Sequence, residues 1–115
     1  MFGIVTLSDL SPTPVLLNMF YIYILKSEKD SNLYIGSTNN LSRRLAEHNE
    51  GKVRSTKARR PFELRYYEAF YKEEDARHRE WSLKKDGNAL AQLKRRVKAS
   101  LHTCSPDELS THEVL

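Results

Sequence analysis

An α+β fold, with helices layered on a small three-stranded antiparallel sheet in the order ββαβαα, is the architecture the sequence predicts. Three observations predict it. Two β-branched and aromatic runs lie close together, a third follows Pro61, and apolar residues recur at helical spacing in the first stretch between them. The first two runs are Phe20 to Leu25 and Asn32 to Thr38, and the polar segment Lys26 to Ser31 makes them a hairpin. Asn39 or Asn40 then offers an N-cap, Leu41, Leu45 and His48 share a helical stripe, and Gly51 supplies a stop, which predicts a helix over 40–50. Lys52 to Arg60 is a basic loop closed by Pro61. Phe62 to Tyr71 alternates as a third strand, expected to turn Phe62, Leu64, Tyr66 and Phe70 to one side and Tyr67 and Ala69 to the other. Two helices, about 73–85 and 88–99, complete the order, with Gly87 in the break between them.

A chain of 115 residues is expected to hold one domain. Residues 1–18 contain the Ser-Pro-Thr-Pro stretch from Ser11 and carry no Lys or Arg, so they read as a dispensable leader with Met19 as a second candidate start. The domain is expected over 19–99 and an acidic tail over 100–115.

Lys and Arg number 19 against 15 Asp and Glu, a net of +4, but the two signs are spread differently. Every cation lies between Lys26 and Lys98 together with only 11 of the anions, so the middle of the chain carries +8. That excess favours polyanionic partners, with nucleic acid ahead of a membrane surface, because no basic segment is paired with a broad apolar face. The single cysteine, Cys104, excludes an internal disulfide and a Cys-rich zinc site. No apolar run approaches the roughly 20 residues of a membrane span, and no secretory signal is seen, so the expected home is the cytoplasm.

Candidate site residues fall into four groups. Tyr23 and Tyr34 lie on adjacent strands, where a suitable register brings both phenols to one face; alternatively they are ordinary strand tyrosines. Gly36, on that same face, could let a ligand approach closely or simply mark a bulge. Arg44 and His48 stand one helical turn apart, a guanidinium beside an imidazole that suits phosphate chemistry, although His48 could equally be a packed core residue. Glu80 shares a stripe with Ala76 and Leu83, which turns its carboxylate toward the sheet, where it needs a partner: a hard cation such as Mg²⁺, or Arg77 or Lys84 in an ion pair. Glu68 is a weaker second carboxylate. Finally, Lys52, Arg54, Lys57, Arg59 and Arg60 form a loop with no acid, read as a phosphate-tracking surface.

Tyr21-Ile22-Tyr23, Tyr34-Ile35-Gly36, Asn40-Leu41 with Arg44 and His48, and Glu80 within Ala76-Arg77-His78-Arg79-Glu80 together resemble the GIY-YIG nuclease superfamily over about residues 20–98. The resemblance is nearest to small stand-alone bacterial domains, which are similar to the N-terminal catalytic domain of the excision-repair endonuclease. Two positions depart from it: Tyr21 stands where the family name has Gly, and Ser37 where the excision-repair enzymes commonly carry Lys. The resemblance implies a metal-dependent endonuclease that hydrolyses DNA phosphodiesters, in repair or processing. It implies that Tyr23 with His48 activates the attacking water and that Arg44 stabilises charge on the scissile phosphate. Tyr34 would orient that phosphate or help the leaving oxygen, Gly36 would keep the approach clear, and Glu80 would hold one Mg²⁺ or Mn²⁺. Branched or damaged DNA is the expected partner, with RNA as a second possibility and a separate protein for targeting. The competing expectation is a non-catalytic nucleic-acid-binding module on the same fold.

Overall fold

The computed structural model describes residues 18–102, and all but the last residue of the proposed leader and most of the proposed acidic tail lie outside them. The chain runs β1 (Phe20–Ser27), β2 (Leu33–Thr38), α1 (Leu41–Asn49), β3 (Phe62–Phe70), α2 (Glu73–Lys85), α3 (Gly87–Arg96) and a short α4 (Lys98–Leu101). The sheet is three-stranded and antiparallel, as the sequence predicts, and its strands lie in the order β2-β1-β3. β1 is therefore central and covered on both faces, which explains why Phe20 to Leu25 is apolar without alternation. Its even residues Ile22 and Ile24 meet Ile35, Ala76, Leu83, Leu93 and Leu101 in a wholly apolar core under α2, α3 and α4. Its odd residues Tyr23 and Leu25 pack with Phe62, Leu41 and Leu45 beneath α1.

The expected facing of β3 is corrected by a register irregularity opposite Ile24 and Leu25. Ile24 pairs with Tyr66 and Leu25 with Leu64, so Arg65 is the extra residue. Across this bulge the alternation changes phase: Phe62 and Leu64 join the α1 side, whereas Tyr66 and Phe70 join the opposite core. Leu101, two residues past the expected boundary at 99, is buried in the core, and its carbonyl accepts a 2.6 Å hydrogen bond from Lys26 Nζ.

Local chemistry places the helices. The Asn40 side chain caps α1 by accepting from the Arg43 amide at 3.0 Å, and Gly51, at φ +79°, follows the end of that helix. The Asn49 side chain then bridges α1 to β3, accepting from Phe62 N at 2.7 Å and donating to Phe62 O at 3.1 Å. Three acids open α2 and two lysines close it, in the sense that complements the helix dipole. The break before α3 falls at Asp86, one residue earlier than expected, with its side chain accepting from Asn88 N.

Candidate active site

The strand register carries the first part of the site. Tyr23 lies opposite Gly36, and Leu25 opposite Tyr34, so both tyrosines rise from the α1 face with ring centroids 6.3 Å apart. A Cβ at Gly36 would stand 2.5 Å from Tyr23 Oη and 2.6 Å from its Cζ. The absent side chain is thus occupied by the Tyr23 phenol itself, which corrects the expectation that Gly36 keeps space for a ligand.

Directly above, α1 supplies His48, which is completely buried. Its Nε2 lies 2.9 Å from Tyr23 Oη and its Nδ1 2.8 Å from Thr56 Oγ1. The direction of these bonds follows from proton counting. Thr56 Oγ1 also reaches the Val53 carbonyl at 3.4 Å, and a carbonyl only accepts. The hydroxyl therefore donates to Val53 and accepts from His48 Nδ1–H, which leaves Nε2 as the acceptor for the Tyr23 hydroxyl. Burial pushes Tyr23 up to about 12, with Arg44 partly offsetting it, while burial and then Arg44 push His48 down to about 4. Both groups are neutral at pH 7, and one proton lies between them.

Arg44, one turn before His48, lies beside the Tyr23 phenol, and each shifts the other's protonation. Its Nη1 bonds Glu47 at 3.0 Å, and its buried Nε has no hydrogen-bond partner among the described residues. A cleft of about 290 Å³ between α1 and α2 is lined by Arg44 and Ser37, with Arg43, Glu47 and Arg77 around them.

Glu80 reaches the site from the opposite face. Ser37 pairs with Ile22 and so points to the α2 side, where its hydroxyl donates to Glu80 Oε1 at 2.7 Å. Glu80 Oε2 is 2.7 Å from Lys84 Nζ, and that ammonium stands 5.9 Å from the centroid of the Tyr34 ring. The site therefore wraps around the free edge of β2, with phenols on one side and carboxylate and ammonium on the other. Burial raises the Glu80 carboxyl, but Lys84 and Ser37 outweigh it and hold it below the ordinary range, so it is ionised at neutral pH. The Glu80 charge in turn helps to raise the Tyr23 phenol. Of the two cations foreseen as its ion-pair partner, Lys84 fills the role; Arg77 pairs with Glu73 at 3.0 Å.

Glu68 is placed elsewhere, held by both nitrogens of an Arg79 fork at 2.9 and 3.0 Å and by the Tyr66 hydroxyl. The basic loop is divided. Arg59 is bound to Asp30 at 2.8 Å and Lys52 to Glu50 at 3.0 Å, whereas Arg54, Lys57 and Arg60 are exposed and form no ion pair among the described residues. The sequence reading missed Thr56, hidden as one small hydroxyl within this loop. No group of three or more His, Cys, Asp or Glu gathers among the described residues, and no helix of theirs is long and apolar enough to cross a membrane.

The chain is similar in sequence to known proteins. The family model described as the GIY-YIG catalytic domain matches residues 19–96. A UPF0213 protein of Pediococcus pentosaceus is 40% identical over 92 residues, covering 69% of this chain and 96% of its own. One from Bacillus velezensis is 38% identical over 96 residues, covering 79% and 96%. The solution structure of a UPF0213 protein from Bacillus halodurans is 28% identical, with a TM-score of 0.43 over 81% of this chain and 94% of that one. The chain belongs to the GIY-YIG family, a family of the nuclease type, within its small UPF0213 group.

Proposed function

We propose that this protein is a metal-dependent endonuclease that hydrolyses phosphodiester bonds in DNA, in the repair or processing of branched or damaged strands. The observation that carries the reading is the Tyr23–His48 hydrogen bond, closed from behind by Thr56 and flanked by Arg44 and Glu80. A buried phenol at about 12 is a poor base, and an imidazole at about 4 is a weak one. Acting in series they avoid both difficulties. As water attacks phosphorus, its proton moves to Tyr23 Oη while the phenolic proton moves to His48 Nε2, the ester bond to the departing strand breaks and its oxygen takes a proton from solvent, so no free phenolate accumulates. Arg44, with an unpaired donor beside the phenol, stabilises charge developing on the phosphate oxygens. Tyr34 orients the same phosphate from the strand edge.

The donor set at Glu80 fits one hard cation: an ionised, partly buried carboxylate with the Ser37 hydroxyl beside it. Glu80 would hold Mg²⁺ or Mn²⁺ in exchange for Lys84, and the ion would add positive charge at the phosphate. The same Lys84 pairing supports a second reading, a binding module in which Glu80 serves only to anchor α2. Purified protein incubated with nicked, branched and single-stranded DNA, and with RNA, in Mg²⁺ or Mn²⁺ decides between them. Cutting that disappears in Glu80→Ala supports the nuclease. Salt-sensitive binding that persists in Glu80→Ala, with no product from either protein, supports the module. Targeting by a separate protein and a cytoplasmic location complete the proposal.

A further inference from the structure

Below Tyr34, along the free edge of β2, a second and larger groove of about 720 Å³ has no role in the chemistry above. Its floor is aliphatic, built from Leu33 and Ile35 of β2 with Leu90 and Leu101. Its rim is cationic: Lys84 from α2, Lys94 from α3 and Lys98 from α4, with no Asp or Glu among the described residues that line it. Lys94 and Lys98 form no ion pair among the described residues, in contrast to Arg59 and Lys52 in the loop. The groove is also continuous with the candidate active site, because Tyr34 and Lys84 belong to both.

We infer that this groove binds an unpaired nucleic-acid strand running on from the scissile phosphate at Tyr34. Three properties select that occupant. Lysines are flexible point charges that follow a backbone, instead of clamping a single group as an Arg fork does. An aliphatic floor can be covered by nucleobases only when they are unpaired, since a duplex buries its base faces and offers phosphates alone. And an occupant whose phosphate reaches Tyr34 enters the groove next, since Tyr34 and Lys84 line its mouth and no Asp or Glu is among the described residues that line it. The inference rests on the nuclease reading for its direction but not for its test: the groove is a substrate-selecting element, and strands with a single-stranded tail or flap are its preferred form.

The test is binding without divalent metal, so that it does not depend on cutting. Fluorescence anisotropy compares a blunt duplex with the same duplex carrying a 3′ or 5′ tail, in deoxy and ribo forms. Wild type is expected to bind one tailed form at least about fivefold more tightly than the blunt one. Lys94→Glu with Lys98→Glu is expected to abolish that advantage while blunt-duplex binding persists. Lys94→Gln with Lys98→Gln should lower the salt slope for the tailed form by about 1.4, or 0.7 per lost phosphate contact. Equal affinity for all forms in wild type, or an advantage that survives both pairs of substitutions, overturns the inference even if the protein cuts DNA. Tail binding that needs these lysines, in a protein that cuts nothing, upholds the groove and removes the nuclease reading.

Discussion

The two faces of the sheet are built from one strand and solve different problems. On the α2 side, Ile22 and Ile24 are fully buried among leucines, isoleucine and alanine, and no polar side chain interrupts the cluster. On the α1 side, the intervening Tyr23 is equally buried, yet its hydroxyl continues into His48 and Thr56, a line of polar groups in the interior. Burial of such groups is tolerated only because each finds a partner. Alternate residues of a single strand thus divide the labour: the even positions pack the apolar core, and Tyr23 among the odd ones opens the line of polar groups on which the proposed chemistry rests.

The sharpest way to break this contrast is to substitute neighbours. Ile22→Ala should cost about 2–5 kcal/mol of stability through the cavity it leaves, with cutting unchanged at temperatures where the variant stays folded. Tyr23→Phe leaves His48 Nε2 without its donor and should cost only about 1–3 kcal/mol, while cutting falls by about 10²-fold or more. Denaturant melts and initial rates on one nicked substrate measure both. If Tyr23→Phe cuts as well as wild type, the polar face is structural and the contrast collapses.

Next in size is Gly36→Ala. The added methyl group would meet the Tyr23 phenol at 2.5 Å, and a hydrogen-bonded ring between two strands has nowhere to go without leaving His48. The expected loss is about 1–3 kcal/mol of stability from overpacking. Cutting should fall by about 10²-fold from misplacement of the phenol. Retention of both would mean that the Tyr23 ring can shift freely.

Much of the fold was legible because its periodicities are clean. The uninterrupted β-branched and aromatic run of β1 marks a strand, and Leu41, Leu45 and His48 share the stripe that becomes the inner face of α1. The joint position of Tyr23 and Tyr34 followed from strand alternation, and the ion pair at Glu80 from helical spacing. What stayed hidden depends on register and tertiary contact. The bulge at Arg65 adds one residue that no propensity marks, so the facing of β3 was read as a single phase. Gly36 serves a partner strand, not a ligand, and only pairing opposite Tyr23 shows that. Thr56 lies in a run of cations, where nothing in the sequence marks its hydroxyl as the partner of His48, and Asp30 and Glu50, outside the run, claim two of its five basic residues.

A smaller effect separates the faces by pH. His48 is neutral in the folded protein, with its value held near 4 against 6.5 for a free imidazole. Between those values the unfolded chain binds the proton and the native one does not, so stability is complete above about pH 6.5 and is lost as pH falls toward 4. The loss should reach about 1–3 kcal/mol, by linkage. Below about pH 4.5, protonation of carboxylates held low, such as Glu80 and Glu68, adds a separate decline. Denaturant melts at pH 7, 5.5 and 4.5 should show the slope in wild type and its absence in His48→Gln. The apolar cluster around Ile22 and Ile24 contains no His, Asp or Glu, so an identical slope in both proteins would remove His48 as the source.

The least effect, and the most specific, is expected at Thr56. In Thr56→Val the shape is kept but His48 Nδ1–H loses its acceptor, which should cost about 1 kcal/mol. For a domain of this size that lowers Tm by about 4–8 °C. The chemical consequence is distinct from the stability one. Without the hydroxyl, nothing holds the proton on Nδ1, and the tautomer with Nε2–H becomes competitive, in which Nε2 can no longer accept from Tyr23. Cutting should therefore fall by about tenfold even at a temperature well below the new Tm, and Thr56→Ser, which keeps the oxygen, should restore it. A loss of stability with full activity would show that the Tyr23 proton does not depend on which nitrogen of His48 is protonated, and the relay would have to end at the phenol.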